Sequence, residues 1–416
     1  MQEFVEERRA KEQHEKRIKT IVLCIVSVIA IAAVVTWQIA AGAMNPTAAS
    51  EEKSTQTEAS AQSAISVETH TVEDWLGRTV EIPVNPTSIA IMDSFSGEAA
   101  VMVGAGQRIS GIPAGVKSDL LLQMIYPELP DIMSTSGSSI NIESLADAGC
   151  DVAIVKAGMA DNELAKLKKL KIPYVCINAR DFETQLRMLE LIGSVCGPDC
   201  EEKAKQLSEF YMNAAQEAAA RLPQTTTMPT DPTRLCVYHA INSTLLTDAP
   251  QSVGASFIRF AGCNDVSANN GGLEGTSTDS DGTSQGDLNV TLEQVFVWDP
   301  DLIICNSYSA TDEFLTEAKW STLKAVQSGN VMTLPVGATR WGQRGSVETA
   351  MAIVWLANTA YPEYFDGFNI KSFVADYYHD YFGLDITDDL YEKIMSGEGI
   401  RTTGNGSGSG GGNGTK

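Results

Sequence analysis

Asn141-Ile-Glu-Ser-Leu-Ala-Asp-Ala-Gly-Cys-Asp-Val-Ala-Ile-Val155 and Thr291-Leu-Glu-Gln-Val-Phe-Val-Trp-Asp-Pro-Asp-Leu-Ile-Ile-Cys305 are two versions of one unit. Each begins with a polar capping residue and a Glu, continues as a short amphipathic helix, turns at an Asp and ends in a buried strand. Glu143 to Asp151 has the same spacing as Glu293 to Asp301. Self-similarity of this kind marks two related structural units.

Outward from the repeat, short β-rich runs alternate with helical patterns. Ser88–Met92, Val152–Val155 and Tyr174–Ile177 read as buried strands, as do Leu235–Tyr238, Leu302–Cys305 and Val331–Leu334. Continuous apolar strands between helices indicate mostly parallel sheets covered on both faces, hence an α/β fold. Between Asp181 and Leu222 no strand signal occurs. Leu186, Leu189, Ile192 and Cys196 recur at helical spacing, as do Leu207, Phe210, Ala214, Ala218 and Leu222. Gly197-Pro198 is a candidate break or kink. The expected architecture is an N-terminal lobe over 72–182, a linker helix over 183–222 and a C-terminal lobe over 233–401.

The ends differ in composition. Residues 1–20 are charged, and from Thr20 to Ser50 there is no charged residue. The run over 21–44 is long enough to cross a hydrocarbon core. Arg8, Arg9, Lys11, Lys16, Arg17 and Lys19 precede it, which places residues 1–20 in the cytoplasm and the remainder outside. The run reads as a retained anchor, with a signal peptide cut near Ala41-Gly42-Ala43 as the alternative. Residues 45–71 read as a flexible tether and 402–416 as a disordered Gly/Ser tail.

Net charge is −23, from 30 basic and 53 acidic residues. Such a surface excludes nucleic acid as a partner. Cys196 and Cys200 are close enough for a local disulfide. The other cysteines beyond Cys24 are scattered, and several lie beside apolar runs, as buried thiols do. Gly282-Thr-Ser-Gln-Gly286 fits G-x-S-x-G but lacks the strand and helix of a nucleophile elbow. No metal site and no cofactor is expected. A lone His239 after a strand reads as structural.

Four stretches together resemble the binding proteins of importers for iron–siderophore complexes, haem and cobalamin. They are Asp74–Pro83 with Thr87–Ala90, Gly104–Gly111, the repeated unit, and Trp320–Val331 continuing through Val354–Glu363. The resemblance implies two α/β lobes joined by one long helix, with ligand in the cleft. It implies a non-enzymatic role delivering ligand to an ABC permease and its ATPase. It also implies that Glu143 and Glu293, one per lobe, dock on the permease. A charge argument supports the same pair, since two carboxylates on rigid helix starts meet cations well.

Loops following strands should form the cleft. Phe95, Tyr238, Tyr308, Arg340, Trp341 and Arg344 are the candidate ligand residues. Arginines grip anionic groups and Trp offers a flat apolar face. The expected ligand is a ferric siderophore or related metal chelate. Cobalamin, haem and molybdate or tungstate are alternatives, and an anchored chelatase or hydrolase is the alternative of another class. A monomer is expected.

Overall fold

Val152, Ala153, Ile154 and Val155 are all buried, and their side chains divide between two cores by strict alternation. Ile89, Ile91, Val152, Ile154, Val175 and Ile177 face one layer of helices. Ala90, Ala153, Val155, Tyr174 and Cys176 face the other. The unbroken apolar strands of the sequence are therefore strands buried on both faces. This computed structural model describes residues 68–135, 142–223, 233–250, 252–269, 287–343 and 345–397. The expected membrane segment, the Gly/Ser tail, Arg344 and most of the expected tether lie outside them. Among the described residues no helix is long and apolar enough to cross a membrane.

The N-terminal lobe opens with an antiparallel hairpin, β1 (Thr69–Glu73) and β2 (Thr79–Pro83). The chain continues through β3 (Ile89–Ile91), α1 (Ser94–Met102), β4 (Ile109–Ile112), α2 (Ala114–Lys117), α3 (Leu120–Ile125) and β5 (Met133–Ser134). Next come α4 (Ile142–Asp147), β6 (Val152–Lys156), α5 (Asp161–Lys169) and β7 (Tyr174–Ile177). The sheet order is β5-β4-β3-β6-β7, with every pairing parallel.

The stretch expected as one linker helix is two, α6 (Phe182–Cys196) and α7 (Pro198–Arg221). Gly197, at φ 118°, stops the first, and Pro198 starts the second. Only glycine takes that backbone angle cheaply, and proline suits a helix's first turn. At 24 residues, α7 is about 36 Å long and packs against both α6 and the later helix Thr349–Ala360. Cys196 and Cys200 flank this break as free, buried thiols rather than a disulfide. Burial pushes the Cys200 thiol up to about 11.

The C-terminal lobe comprises β8 (Cys236–Ala240), β9 (Leu246–Asp248), α8 (Val253–Phe260), β10 (Asn264–Asp265), β11 (Asp287–Asn289), α9 (Leu292–Trp298) and β12 (Leu302–Cys305). It continues with α10 (Tyr308–Thr316), α11 (Lys324–Gln327), β13 (Val331–Thr333), α12 (Thr349–Ala360), α13 (Ile370–Phe382) and α14 (Asp388–Met395). The order β10-β8-β12-β13, all parallel, repeats β4-β3-β6-β7 of the first lobe. Val237, Leu302 and Ile304 join the core layer that α6, α7 and α12 share with the first lobe.

The repeat explains itself in hydrogen bonds. Asp151 N–H donates to the Ser88 carbonyl (2.8 Å), and Ser88 N–H donates back to the Asp151 carboxylate (3.0 Å). Asp301 N–H donates to the Cys236 carbonyl (2.8 Å), and Cys236 N–H donates back to the Asp301 carboxylate (2.8 Å). In each lobe the equivalent Asp clasps the repeat's strand to its neighbour in the sheet, β6 to β3 and β12 to β8.

Candidate ligand-binding site

In open parallel sheets, ligands bind beyond the carboxyl ends of strands where the strand order reverses. Here those points lie between β3 and β6 in one lobe and between β8 and β12 in the other. Two nine-residue helices start there, α1 capped by Asp93 and α10 capped by Ser307. The Asp93 carboxylate accepts from Ser96 N–H at 2.9 Å, and the Ser307 hydroxyl accepts from Ala310 N–H at 3.2 Å. Helix N-termini carry partial positive charge, which favours anions nearby.

Of the residues singled out by sequence, one reaches such a position. Tyr308 opens α10 directly after β12 and is 63% exposed, a rare state for so large a ring. Arg340 lies in the segment after the neighbouring strand β13 and is half-buried. The structure places three others in the core. Phe95 sits at the right strand end but turns its ring into the first lobe's core. Tyr238 points to the outer face of the second sheet, packed with Trp298 and Phe314. Its hydroxyl donates to the Thr244 carbonyl at 3.0 Å. Trp341 is fully buried and offers no face. Lys156, the exposed last residue of β6, stands at the first lobe's reversal point. The sequence signal for it was a cation ending an apolar strand.

Behind the second lobe's strand ends lies a buried polar row. His239 Nδ1 is 2.5 Å from Asp248 Oδ2, and its Nε2 is 2.8 Å from Asn306 Oδ1. Burial opposes the imidazolium, but Asp248 and Asn306 outweigh it and raise the His239 pKa. A Cβ on Gly254 would overlap the Asp248 carboxylate, so glycine is required there. Phe257 of α8 packs edge-on to the His239 ring at 5.6 Å. Asp265 is also buried, which pushes its carboxyl up to about 6. His239 is thus buried and held at both ring nitrogens. Among the described residues no cluster of three or more His, Cys, Asp or Glu could hold a metal ion.

Glu143 and Glu293 each occupy the first turn of the repeat's helix, and both are exposed. Two grooves, of about 350 and about 270 Å³, share Tyr381; the first lies between α7 and α13, the second is lined mainly by residues from α1 to α3, and neither is lined by any of the candidate ligand residues named above.

A model of the periplasmic binding protein family matches residues 89–336. The molybdate-binding protein MolA of Haemophilus influenzae is 24% identical over 336 residues, 75% of this chain and 90% of the relative. The solved structure of MolA bound to molybdate superposes with a TM-score of 0.64 at 22% identity, covering 76% of this chain and 99% of that one. A periplasmic solute binding protein from Veillonella parvula gives 0.62 at 22% identity, covering 79% and 97%. CeuE of Helicobacter pylori, solved as a nickel–histidine complex, gives 0.61 at 18% identity, covering 79% and 99%.

Proposed function

Since this chain belongs to the periplasmic binding protein family, we propose that it captures an anionic metal complex outside the cytoplasm for an ABC importer. Its relatives are solute-binding proteins rather than enzymes, and such proteins work with permease and ATPase subunits. The observation that carries the ligand class is the exposed Tyr308 ring at the β8–β12 reversal point, with Arg340 after the adjacent strand and Lys156 in the other lobe. An aromatic face with two cations and two helix N-termini suits an anion bearing flat apolar groups. A ferric catecholate chelate has that chemistry, since three dianionic catecholates leave the ferric complex negatively charged. Molybdate is the second reading, favoured by the likeness to MolA.

Glu143 and Glu293 dock on the permease in this account, and residues 21–44 anchor the chain to the membrane. The test is titration of the purified protein with ferric catecholate, ferric hydroxamate and molybdate, followed by tryptophan fluorescence. A ferric catecholate saturating at micromolar concentration or below supports the leading reading, and a response to the neutral ferric hydroxamate alone overturns its charge argument. A response to molybdate alone transfers the assignment to the oxyanion, and silence to all three overturns both.

A further inference from the structure

The segment between β13 and α12 carries Arg340 and is closed by one buried carboxylate. Glu348, fully buried at the end of the segment, accepts from the Tyr378 hydroxyl at 2.6 Å and from Thr339 N–H at 2.7 Å. The Thr339 hydroxyl donates to the same carboxylate oxygen at 3.1 Å and lies 2.6 Å from the Ser346 hydroxyl. Ser346 Oγ in turn accepts from Glu348 N–H at 3.1 Å. Ala338 N–H donates to the Tyr378 hydroxyl at 3.1 Å. A Cβ on Gly337 would overlap that hydroxyl, so the backbone is pressed against it. From α6, Gln185 Nε2 donates to the Ser346 carbonyl at 2.5 Å.

Both ends of the segment, 338–339 and 346–348, therefore meet at one carboxylate that α13 holds from behind. A carboxylate is a costly way to fill a core, because apolar residues of like volume often serve stability equally well. It does bind three donors in fixed directions, which an apolar side chain cannot. Thr339, the residue before Arg340, supplies two of those donors. We infer that Glu348 is a positioning residue of the ligand site, fixing the backbone that presents Arg340. The inference rests on the reading above that Arg340 meets the ligand.

Burial pushes the Glu348 carboxyl up to about 7. The other titratable groups facing it are Tyr377 and Tyr378 from α13 and Tyr211 from α7, all with pKa raised well above their ordinary value.

The test compares Glu348→Ala and Glu348→Gln in the full chain, with Asp151→Ala as a destabilised control remote from the segment. Two things are measured: amide hydrogen exchange over 338–347, and affinity for ferric catecholate and for molybdate. Glutamine keeps the shape and part of the hydrogen bonding. The expected result is faster exchange and an affinity loss of about tenfold or more in Glu348→Ala, since small misplacements of a binding group weaken its contacts strongly. Affinity should recover to within about threefold in Glu348→Gln and be unchanged in Asp151→Ala. Unchanged exchange in Glu348→Ala overturns the proposal. So does faster exchange with unchanged affinity, or an equal loss in the Asp151→Ala control. Wild-type protein that binds neither probe refutes the ligand reading itself, and the inference falls with it.

Discussion

Substituting Asp248 by Asn strips the charge from a buried pair without changing its shape. His239 and Asp248 are 1% and 2% exposed, and their atoms lie 2.5 Å apart. Removing one partner of a buried pair leaves the other uncompensated, at a cost of about 3–5 kcal/mol. With a urea slope of about 3 kcal/mol per molar, the unfolding midpoint should fall by about 1 M or more. Gly254→Ala should act in the same direction, because its methyl group displaces the Asp248 carboxylate. The pH dependence has a definite sign. The folded state raises the His239 pKa, so the pair's stabilisation is complete below the ordinary value of 6.5 and fades as pH rises through the raised one. Asp248 on β9, Asp265 on β10 and Asn306 after β12 are the polar groups facing the ring, with Phe257 at its edge. The gap between wild type and Asp248→Asn should therefore narrow at alkaline pH. Urea titrations at several pH values measure it. A loss below about 1 kcal/mol, or a gap that widens with pH, would refute the reasoning.

Two further outcomes follow from the repeat. Asp151 Oδ2 accepts from Thr87 N–H, Ser88 N–H and the Thr87 hydroxyl, whereas Asp301 Oδ2 accepts from Cys236 N–H and its Oδ1 meets exposed Lys324. Asp151→Ala should thus cost about 2–4 kcal/mol and Asp301→Ala about 1–2 kcal/mol, a ranking that thermal unfolding checks. Charge reversal at Glu143 and Glu293 should abolish uptake by cells while leaving ligand affinity within about twofold, because both side chains are exposed in the first turns of α4 and α9. Uptake that survives the double reversal excludes docking through this pair.

The sequence-based reading and the structure agree where a local pattern determines the answer. All six runs read as strands are strands, and Tyr174–Ile177 and Leu302–Cys305 match residue for residue. The repeat was visible because its capping, helix and Asp turn are encoded within fifteen residues. Gly197-Pro198 announced a break, although its depth, two helices instead of a kink, depended on the φ that glycine adopts.

Which aromatic rings are buried and which are exposed was not legible. An unbroken apolar strand does not say which face abuts which core, so Tyr238 and Trp341 looked equivalent to Tyr308 in sequence. The His239–Asp248–Asn306 row and the Glu348 closure each join a local pair to a residue from a distant element, Asn306 in one and Tyr378 in the other. Each of these residues, taken alone in the sequence, carries no pairing signal.

The ligand proposed for this protein is an anionic metal complex held beyond the strand ends of the two lobes. Anomalous diffraction at the iron edge, from crystals grown with a ferric catecholate, locates the metal directly. One iron peak is expected between the loops after β3 and β6 and those after β12 and β13, with the chelate against Tyr308. An iron peak in the grooves beside Tyr381, or no ordered iron while molybdate occupies the strand ends, would contradict it.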